Sequence, residues 1–253
     1  MKVDIAPDSK ELGIRSATFV AAKVRELVSA APADKNIRVI VATGASQFNF
    51  IASLVSFPDM PWNRVEFFHL DEYVGLDQGI EHPASFRKYL NERLFSQLNP
   101  QPASVHLLNP DEIEEYAKLL QKDDIDLACI GIGENGHIAF NDPPVADFND
   151  PVLVKIVELD QACRQQQVGE GWFDSLDTAP THAVTLTVPA ILRCKTISCV
   201  VPDDRKAAAV RGTLHDEIST KCPATCMRNH PDTWLWLDEA SASTLPKKEG
   251  QKK

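Results

Sequence analysis

Short apolar runs alternate with amphipathic segments along almost the whole chain. The runs at 37–43, 65–71 and 126–132 are largely apolar on both faces, as strands are when helices cover both sides of their sheet. Strands that alternate with helices usually pair in parallel, because each helix carries the chain back to the starting edge of the sheet. The pattern predicts one α/β domain over residues 1–245, with a largely parallel sheet flanked by helices on both faces. Further strands are predicted at 153–159, 183–188, 196–201 and 234–237, and helices at 8–30, 46–56, 85–98, 111–121 and 203–214.

The charge of the chain limits the partners that it can bind. Its 253 residues include 36 acidic and 26 basic side chains, for a net charge of −10. This excess of negative charge argues against nucleic acid or an anionic membrane surface as a partner. No apolar run is long enough to span a bilayer, and the first residues do not resemble a secretory signal. We therefore expect a cytoplasmic protein whose partner is a small molecule.

The six cysteines do not form a recognisable motif. They are scattered, and Cys222 and Cys226 have neither the spacing of a zinc site nor that of a thioredoxin motif. We therefore predict buried free thiols and no metal. The tail at 246–253 is rich in charge and poor in apolar residues, and we predict that it is disordered.

Polar residues follow three of the predicted strands, at the edge where α/β enzymes place their chemistry. The first cluster is Thr43-Gly44-Ala45-Ser46. The glycine permits a tight turn, and the amides that open the following helix can attract an anion. Taken alone, the same residues are more typical of an ordinary helix cap with Ser46 as the capping residue. The cluster alone is therefore a weak signal for phosphate binding.

The second cluster is the acidic pair Asp71 and Glu72, which directly follows the strand predicted at 65–71. Neighbouring side chains point in different directions, so one carboxylate can enter a cleft while the other pairs or caps. In a dry cleft a carboxylate can act as a general base toward a carbon atom beside a carbonyl group. An acidic pair that caps a helix or lies in a solvated loop gives the same spacing, and both interpretations remain open.

The third cluster is the run GIGENGHIAFNDPP at 131–144. It places His137 on a short, stiff turn after a predicted strand, and a proton-transferring imidazole must be held in one orientation. The glycines do not complete a dinucleotide-binding fingerprint. His137 could instead be a structural histidine, and Asp142 could merely shape the turn before Pro143. The presence of a base, an imidazole and an anion cradle at three strand ends favours a catalytic site.

The segments 69–95, with its DEYVGL motif, and 131–144, with its GHIAFN motif, together resemble the glucosamine-6-phosphate deaminase (isomerase) family. The runs 42–46 and 200–210 occur in the matching order, and the resemblance extends over 39–237. It implies a modified Rossmann-like fold. The implied reaction converts glucosamine 6-phosphate and water to fructose 6-phosphate and ammonia, without a cofactor.

The resemblance also implies roles for individual residues. Asp71 matches the base that moves a proton between C2 and C1, and His137 matches the group that opens the sugar ring. Glu72 and Tyr73 belong to the same motif and are assigned supporting roles. The predicted phosphate-binding residues are Thr43, Gly44, Ala45, Ser46, Lys206 and Arg164, with Arg205 as the rival of Lys206 for the place beside the phosphate.

Two positions depart from the family pattern beside the histidine. Asn135 stands where many members carry aspartate, and Asp142 stands where many carry glutamate. An amide at 135 would hold the imidazole without raising its basicity. The shorter Asp142 would serve only if its backbone lies nearer to the histidine. Both residues are retained as catalytic candidates, and they leave the preferred hexosamine epimer open.

Two other functions fit the same scaffold. A 6-phosphogluconolactonase would hydrolyse a sugar lactone, but it gives no reason for the DEYVGL motif at 71–76. A non-catalytic sugar-phosphate sensor would belong with a basic DNA-binding extension, which this acidic chain lacks. The expected function is therefore deamination of a hexosamine 6-phosphate in amino-sugar metabolism. Whether the chain forms a homo-oligomer is left open.

Overall fold

The computed structural model describes residues 1–76 and 78–246. The strands in these residues are β1 (Lys2–Ala6), β2 (Ile37–Val41), β3 (Val65–His69), β4 (Asp71–Val74), β5 (Ser104–His106), β6 (Leu127–Ile130), β7 (Val154–Glu158), β8 (His182–Leu186), β9 (Thr196–Val201) and β10 (Thr233–Asp238). The α-helices are α1 (Ser9–Ala30), α2 (Phe48–Leu54), α3 (Phe86–Arg93), α4 (Ile113–Gln121), α5 (Gln161–Gly169), α6 (Val188–Leu192) and α7 (Ala207–His215).

In these residues, a seven-stranded sheet has the order β1-β10-β9-β6-β2-β3-β5, and all its neighbouring strands pair in parallel. The predicted parallel α/β architecture is confirmed. Val41 of β2 pairs with both His69 of β3 and Cys129 of β6. The carboxyl ends of these three strands are therefore level, and the polar clusters that follow them meet at one edge of the sheet.

Apolar side chains on the two faces of the sheet enter separate cores. In β2, Ile40 packs with α4, α6 and α7 on one face, whereas Val39 and Val41 pack with α1 and α2 on the other. All five residues of β2 are buried, because neither face of a strand in this position meets water. This double coverage explains why four of the five residues of β2 are apolar, without the alternation typical of a strand with one solvated face.

A second, three-stranded sheet corrects part of the predicted strand pattern. The segments predicted at 153–159 and 183–188 are strands, but they pair antiparallel in the order β4-β8-β7 and do not join the main sheet. The strand predicted at 65–71 also ends early, at His69. Leu70 donates its N–H to the carbonyl of Val41 at 3.3 Å, and the next residue, Asp71, already pairs with Thr185 of β8. An apolar run shows burial but not the pairing partner, so the sequence does not reveal this change of sheet.

Several helix boundaries differ from the prediction in ways that matter for the site. The segment predicted as a helix from 46 begins as a 3₁₀ turn at Ala45–Gln47, and α2 follows it. The segment predicted from 203 likewise begins as a 3₁₀ turn, at Asp204–Lys206, before α7. Sequence patterning missed β1, β4, β5, α5 and α6, which are short, exposed or polar. The tail predicted to be disordered lies outside the described residues, apart from Pro246.

All six cysteines are free thiols; Cys222 is half-buried and the others are buried. Among the described residues, no helix has both the length and the apolar character needed to cross a membrane.

Candidate active site

A cleft of about 560 Å³ opens at the edge where β2, β3 and β6 end. The turn after β2, the start of β4 and the loop after β6 form its walls, and α5 and the 3₁₀ turn before α7 close it. The cleft brings together most of the residues predicted for the site: Thr43, Gly44, Ala45, Ser46, Asp71, His137 and Lys206.

Asp71 is a buried acid at the wall of the cleft. The residue is only 6 % exposed, and its backbone is held by antiparallel pairing with Thr185 of β8. Burial raises the pKa of Asp71 to about 8, and the adjacent negative charge of Glu72 adds to this rise. A carboxyl group with a pKa near neutrality can both accept and return a proton during turnover.

The raised pKa of Asp71 predicts a pH-dependent cost to folding. The ordinary pKa of 3.8 applies to the unfolded chain, whereas the folded protein keeps the proton up to about pH 8. Stabilisation by the protonated form is therefore complete below pH 3.8 and is lost as the pH rises to about 8. Between pH 5 and pH 8, we expect Asp71→Asn to gain on the order of 3 kcal/mol in unfolding free energy relative to wild type. Urea denaturation of both proteins at pH 5 and at pH 8 measures this gain. If the variant and the wild type differ in unfolding free energy by the same amount at both pH values, the raised pKa of Asp71 is contradicted.

Glu72 is fully buried, and its carboxylate is used by the protein itself. It accepts hydrogen bonds from the backbone N–H groups of Tyr73 (2.9 Å), Phe86 (3.1 Å) and Arg87 (2.9 Å). The Ser85 hydroxyl donates to it at 3.0 Å, and the Arg87 guanidinium at 3.2 Å. The carboxylate therefore binds the first turn of α3, where backbone N–H groups lack helical partners. Of the two adjacent acids, Asp71 lines the cleft and Glu72 anchors the helix beside it.

Glu72→Gln is expected to destabilise the protein, although Glu72 itself does not line the cleft. The amide NH₂ group would face donors where the carboxylate now accepts, and one buried ion pair would be lost. We expect the unfolding free energy to fall by about 2–4 kcal/mol in urea denaturation. Glu81→Gln is the control, because that side chain is exposed just before α3. Equal midpoints for the two variants would show that the buried network contributes little.

Tyr73 supports the side of the cleft that α5 forms. Its hydroxyl donates to Gln167 Oε1 at 2.5 Å, and its ring packs against Phe86, Phe140 and Phe173. These contacts join β4 to α5. They fix the position of α5 relative to the start of β4, where Asp71 lies. Tyr73 itself does not line the cleft.

The loop that carries the histidine is held in a conformation that costs energy. Ala139 has a φ of 50°, in the left-handed region that residues with a side chain rarely adopt. Two contacts with β8 hold it there: Phe140 donates its N–H to Thr185 Oγ1 at 3.1 Å, and Asn141 Nδ2 donates to the carbonyl of Leu186 at 2.8 Å. The second sheet therefore fixes both Asp71 and the histidine loop.

His137, Asn135 and Asp142 form one hydrogen-bonded unit. His137 Nδ1 lies 2.8 Å from Asp142 Oδ1, and Asn135 Nδ2 donates to the same oxygen at 2.8 Å. The Asn135 side-chain oxygen accepts the backbone N–H of His137 at 3.0 Å. A Cβ at Gly133 would lie 2.2 Å from His137 Nε2, so only glycine leaves room for the imidazole in this position. Asp142, although one methylene shorter than glutamate, therefore lies near enough to contact His137, as its proposed role requires.

Asp142 is a buried carboxylate that stays ionised. Burial alone would raise its pKa, but the charge of His137 and hydrogen bonds from His137, Asn135 and Cys163 outweigh burial and lower the pKa. Donor atoms of His137, Asp142 and Cys163 lie within 4.8 Å of one another, close enough to consider a metal ion. His137 and Cys163 both hydrogen-bond to Asp142, and we assign the group to this hydrogen bonding.

The structure distinguishes between the two candidate cations. Lys206 is 4 % exposed and lines the cleft beside the turn of Gly44, whereas Arg205 is partly exposed outside it. Arg205 is paired with Asp203 at 2.9 Å and lies 3.7 Å from Glu134. Burial lowers the pKa of Lys206. Lys206 is therefore the cation that can meet an anion in the cleft.

Arg164, the predicted phosphate-contacting arginine, is not among the residues that line the cleft. Its guanidinium donates to the carbonyl groups of Leu176 and Ala179, on the far side of α5. The cleft-facing positions of α5 are Gln166 and Gln167, two and three residues further along the helix. Arg164 was chosen because it is the only cation in this segment, and α5 was not predicted. Its position on α5 directs its side chain away from the cleft.

Glu170 is a residue of the cleft that the sequence interpretation missed. Its carboxylate accepts hydrogen bonds from Gln166 Nε2 at 2.8 Å and Trp172 Nε1 at 3.1 Å. Its Oε1 lies 3.8 Å from Lys206 Nζ. The spacing of Gln166, Gln167 and Glu170 would have placed all three on one helix face, but only after α5 had been recognised.

Comparisons with known proteins agree on one family. The family model described as glucosamine-6-phosphate isomerases/6-phosphogluconolactonase matches residues 7–236. A glucosamine-6-phosphate deaminase from Exiguobacterium sibiricum is 35 % identical over 181 residues, which cover 70 % of this chain and 69 % of that protein.

Solved structures share the fold over nearly the full length. A monomeric glucosamine-6-phosphate deaminase superposes with a TM-score of 0.86 at 28 % identity, covering 96 % of this chain and 99 % of its own. A 6-phosphogluconolactonase from Thermotoga maritima has a TM-score of 0.72 at 23 % identity, covering 94 % of this chain and 98 % of its own, and this likeness concerns the fold alone.

Proposed function

Because the chain belongs to the family of glucosamine-6-phosphate isomerases and 6-phosphogluconolactonases, we propose that it is a hexosamine-6-phosphate deaminase. Its reaction converts glucosamine 6-phosphate and water to fructose 6-phosphate and ammonia, and its own side chains supply the chemistry. The observation that carries the proposal is the placement of a buried acid with a pKa of about 8, Asp71, in the same cleft as the His137–Asp142 pair.

The first step opens the sugar ring. His137 accepts the proton of the C1 hydroxyl group and delivers a proton to the ring oxygen, so that the C1–O5 bond breaks and C1 becomes an aldehyde. The step needs a group that exchanges protons near neutral pH and keeps its orientation. Asp142 stabilises the imidazolium that forms in passing, and Asn135 holds both the loop backbone and Asp142 in place.

The second step moves a proton from C2 to C1. Asp71, as the carboxylate, takes the C2 proton beside the aldehyde, which gives an enol, and then returns a proton to C1. The amine on C2 becomes an imine, water adds to C2, and ammonia leaves to give the ketose. Burial suits Asp71 to this step, because a desolvated carboxylate is a stronger base than one in water.

The phosphate end of the substrate would lie at the turn of Gly44. The hydroxyl groups of Thr43 and Ser46 and the ammonium of Lys206 line this part of the cleft. A phosphate group binds well where polar hydrogens converge with a cation. We call Thr43, Gly44, Ala45, Ser46 and Lys206 the phosphate subsite.

Deamination fits the cleft better than lactone hydrolysis does. Hydrolysis of a lactone breaks no C–H bond and so gives no reason for a buried base such as Asp71. A sensor without catalysis gives no reason for a paired imidazole beside that base. Under the proposal, the binding partner is the sugar phosphate itself. The activity of the relatives supports a place in amino-sugar catabolism, and a cytoplasmic location is part of the proposal.

A substrate screen tests the proposal. The purified chain is incubated, without added cofactor, with the 6-phosphates of glucosamine, galactosamine and mannosamine, and separately with 6-phosphogluconolactone. We expect ammonia and a ketose 6-phosphate in equal amounts from at least one hexosamine 6-phosphate, with glucosamine 6-phosphate the leading candidate. Hydrolysis of the lactone without ammonia release from any amino sugar would refute deamination.

A further inference from the structure

Glu170 places a buried carboxylate beside the cation of the phosphate subsite, although the proposed chemistry gives it no task. Its side chain is 7 % exposed, and its Oε1 lies 3.8 Å from Lys206 Nζ. We propose that Glu170 is a specificity-determining residue: it compensates the charge of Lys206, so that the subsite binds a singly charged tail group about as well as a doubly charged phosphate. The inference rests on the proposed function, because it concerns the group at C6 of the same substrate.

The carboxylate of Glu170 is fixed in place. Gln166 Nε2 and Trp172 Nε1 each donate to one of its two oxygens, at 2.8 and 3.1 Å. Gln166 is held in turn, because its Oε1 accepts the backbone N–H of Glu134 at 3.0 Å. Movement of Glu170 away from an arriving phosphate would break both of its own hydrogen bonds. A bound anion therefore meets the carboxylate where it now lies.

The remaining charges near the subsite do not offset Glu170. Among the described residues, Lys206 is the only lysine or arginine that lines the cleft. Arg205 lies outside and is paired with Asp203, and the carboxylate of Glu134, 3.7 Å from Arg205, adds further negative charge on that side. With both side chains ionised, the charge of Lys206 in the phosphate subsite and the charge of the neighbouring Glu170 sum to about zero. The net Coulomb attraction that would favour a second charge on the anion is then absent, and hydrogen bonds from the turn of Gly44 hold either anion.

Two ligands of matched shape separate charge from hydrogen bonding. Glucosamine 6-phosphate is doubly charged at its tail at pH 8, and glucosamine 6-sulfate is singly charged. Binding is measured by calorimetry in Asp71→Asn, in which turnover is blocked. With Glu170 present, we expect the two dissociation constants to agree within about threefold. Adding Glu170→Gln is expected to tighten phosphate binding roughly tenfold or more and sulfate binding by clearly less, because repulsion scales with the charge of the ligand.

Control variants separate the charge of Glu170 from its position. Trp172→Phe removes one hydrogen bond and keeps the carboxylate, so the phosphate-to-sulfate ratio should not change. Glu134→Gln removes a more exposed carboxylate and should change the ratio less than twofold, since solvent screens it. If Glu170→Gln does not fold, Glu170→Ala takes its place with the same expectations.

A ratio that Glu170→Gln leaves unchanged, or equal weakening of both ligands, would overturn the inference and leave Glu170 as a support for Lys206. Failure of either ligand to bind any variant would overturn it as well. Since the experiment measures binding and not turnover, a protein that shows the predicted ratio but releases no ammonia would refute the proposed function alone.

Discussion

Asp71→Asn is expected to lower kcat for ammonia release by about 10³-fold, within the range that general-base catalysis supplies. The amide keeps the size of the side chain and its place at the start of β4, but it cannot accept the C2 proton. Because the phosphate subsite lies at the end of a different strand, the dissociation constant of the sugar phosphate should change little. Steady-state kinetics gives the first quantity, and calorimetry gives the second.

Asp126→Asn provides a matched control for the loss of a buried acid. Asp126 is also buried, but it lies at the opposite end of β6, where it accepts hydrogen bonds from the Arg38 backbone N–H and from Lys195. Its variant should lose stability and keep kcat, whereas Asp71→Asn should lose kcat and gain stability at pH 8. Full turnover by Asp71→Asn would remove Asp71 from the role of base.

His137→Gln is expected to slow the cyclic substrate by about 10²-fold or more, since an amide cannot exchange protons near neutral pH. The effect should be much smaller with an open-chain analogue that lacks both the C4 and the C5 hydroxyl groups and so can close neither a five-membered nor a six-membered ring. The ratio of the two losses in kcat/KM measures how much of the imidazole's contribution belongs to ring opening. His182→Gln is the control, because His182 is an exposed histidine at the start of β8.

Equal losses of kcat/KM with the cyclic substrate and the open-chain analogue would assign His137 to the proton transfer at carbon or to substrate binding. A smaller loss in Asp142→Asn than in His137→Gln is expected in the same assay, because the amide keeps contact with the imidazole and removes only the charge that stabilises its protonated form.

The main sheet could be predicted because its central strands are buried on both faces. The runs that form β2, β6 and β9 are buried throughout and largely apolar, and few other structures tolerate such runs between helical segments. The edge strands β1 and β5 were missed, since each is short and partly exposed and so lacks that signature. The turn at Leu70 into a second sheet depends on pairing between residues that are 114 positions apart, Asp71 and Thr185, which local patterns do not record.

The residues of the candidate site likewise fall into a group that could be predicted from the sequence and a group that could not. Residues that directly follow central strands, such as Thr43 and His137, could be placed together from the sequence, because parallel strands end at a common edge. Residues delivered by α5 could not, because that helix is polar and has no apolar periodicity to mark its faces. Arg164 was therefore placed in the site and Glu170 was left out, and the structure shows the reverse.

The fate of the hydrogen on C2 tests the proposed proton transfer most directly. Glucosamine 6-phosphate labelled with deuterium at C2 is turned over by the wild-type protein, and the product is examined by NMR. We predict a ketose 6-phosphate that carries the label at C1 or has lost it to water, because Asp71 must remove this hydrogen before ammonia can leave. An aldose 6-phosphate that still carries deuterium at C2 would contradict enolisation, since it would show that water had displaced the amine without the action of a base on carbon.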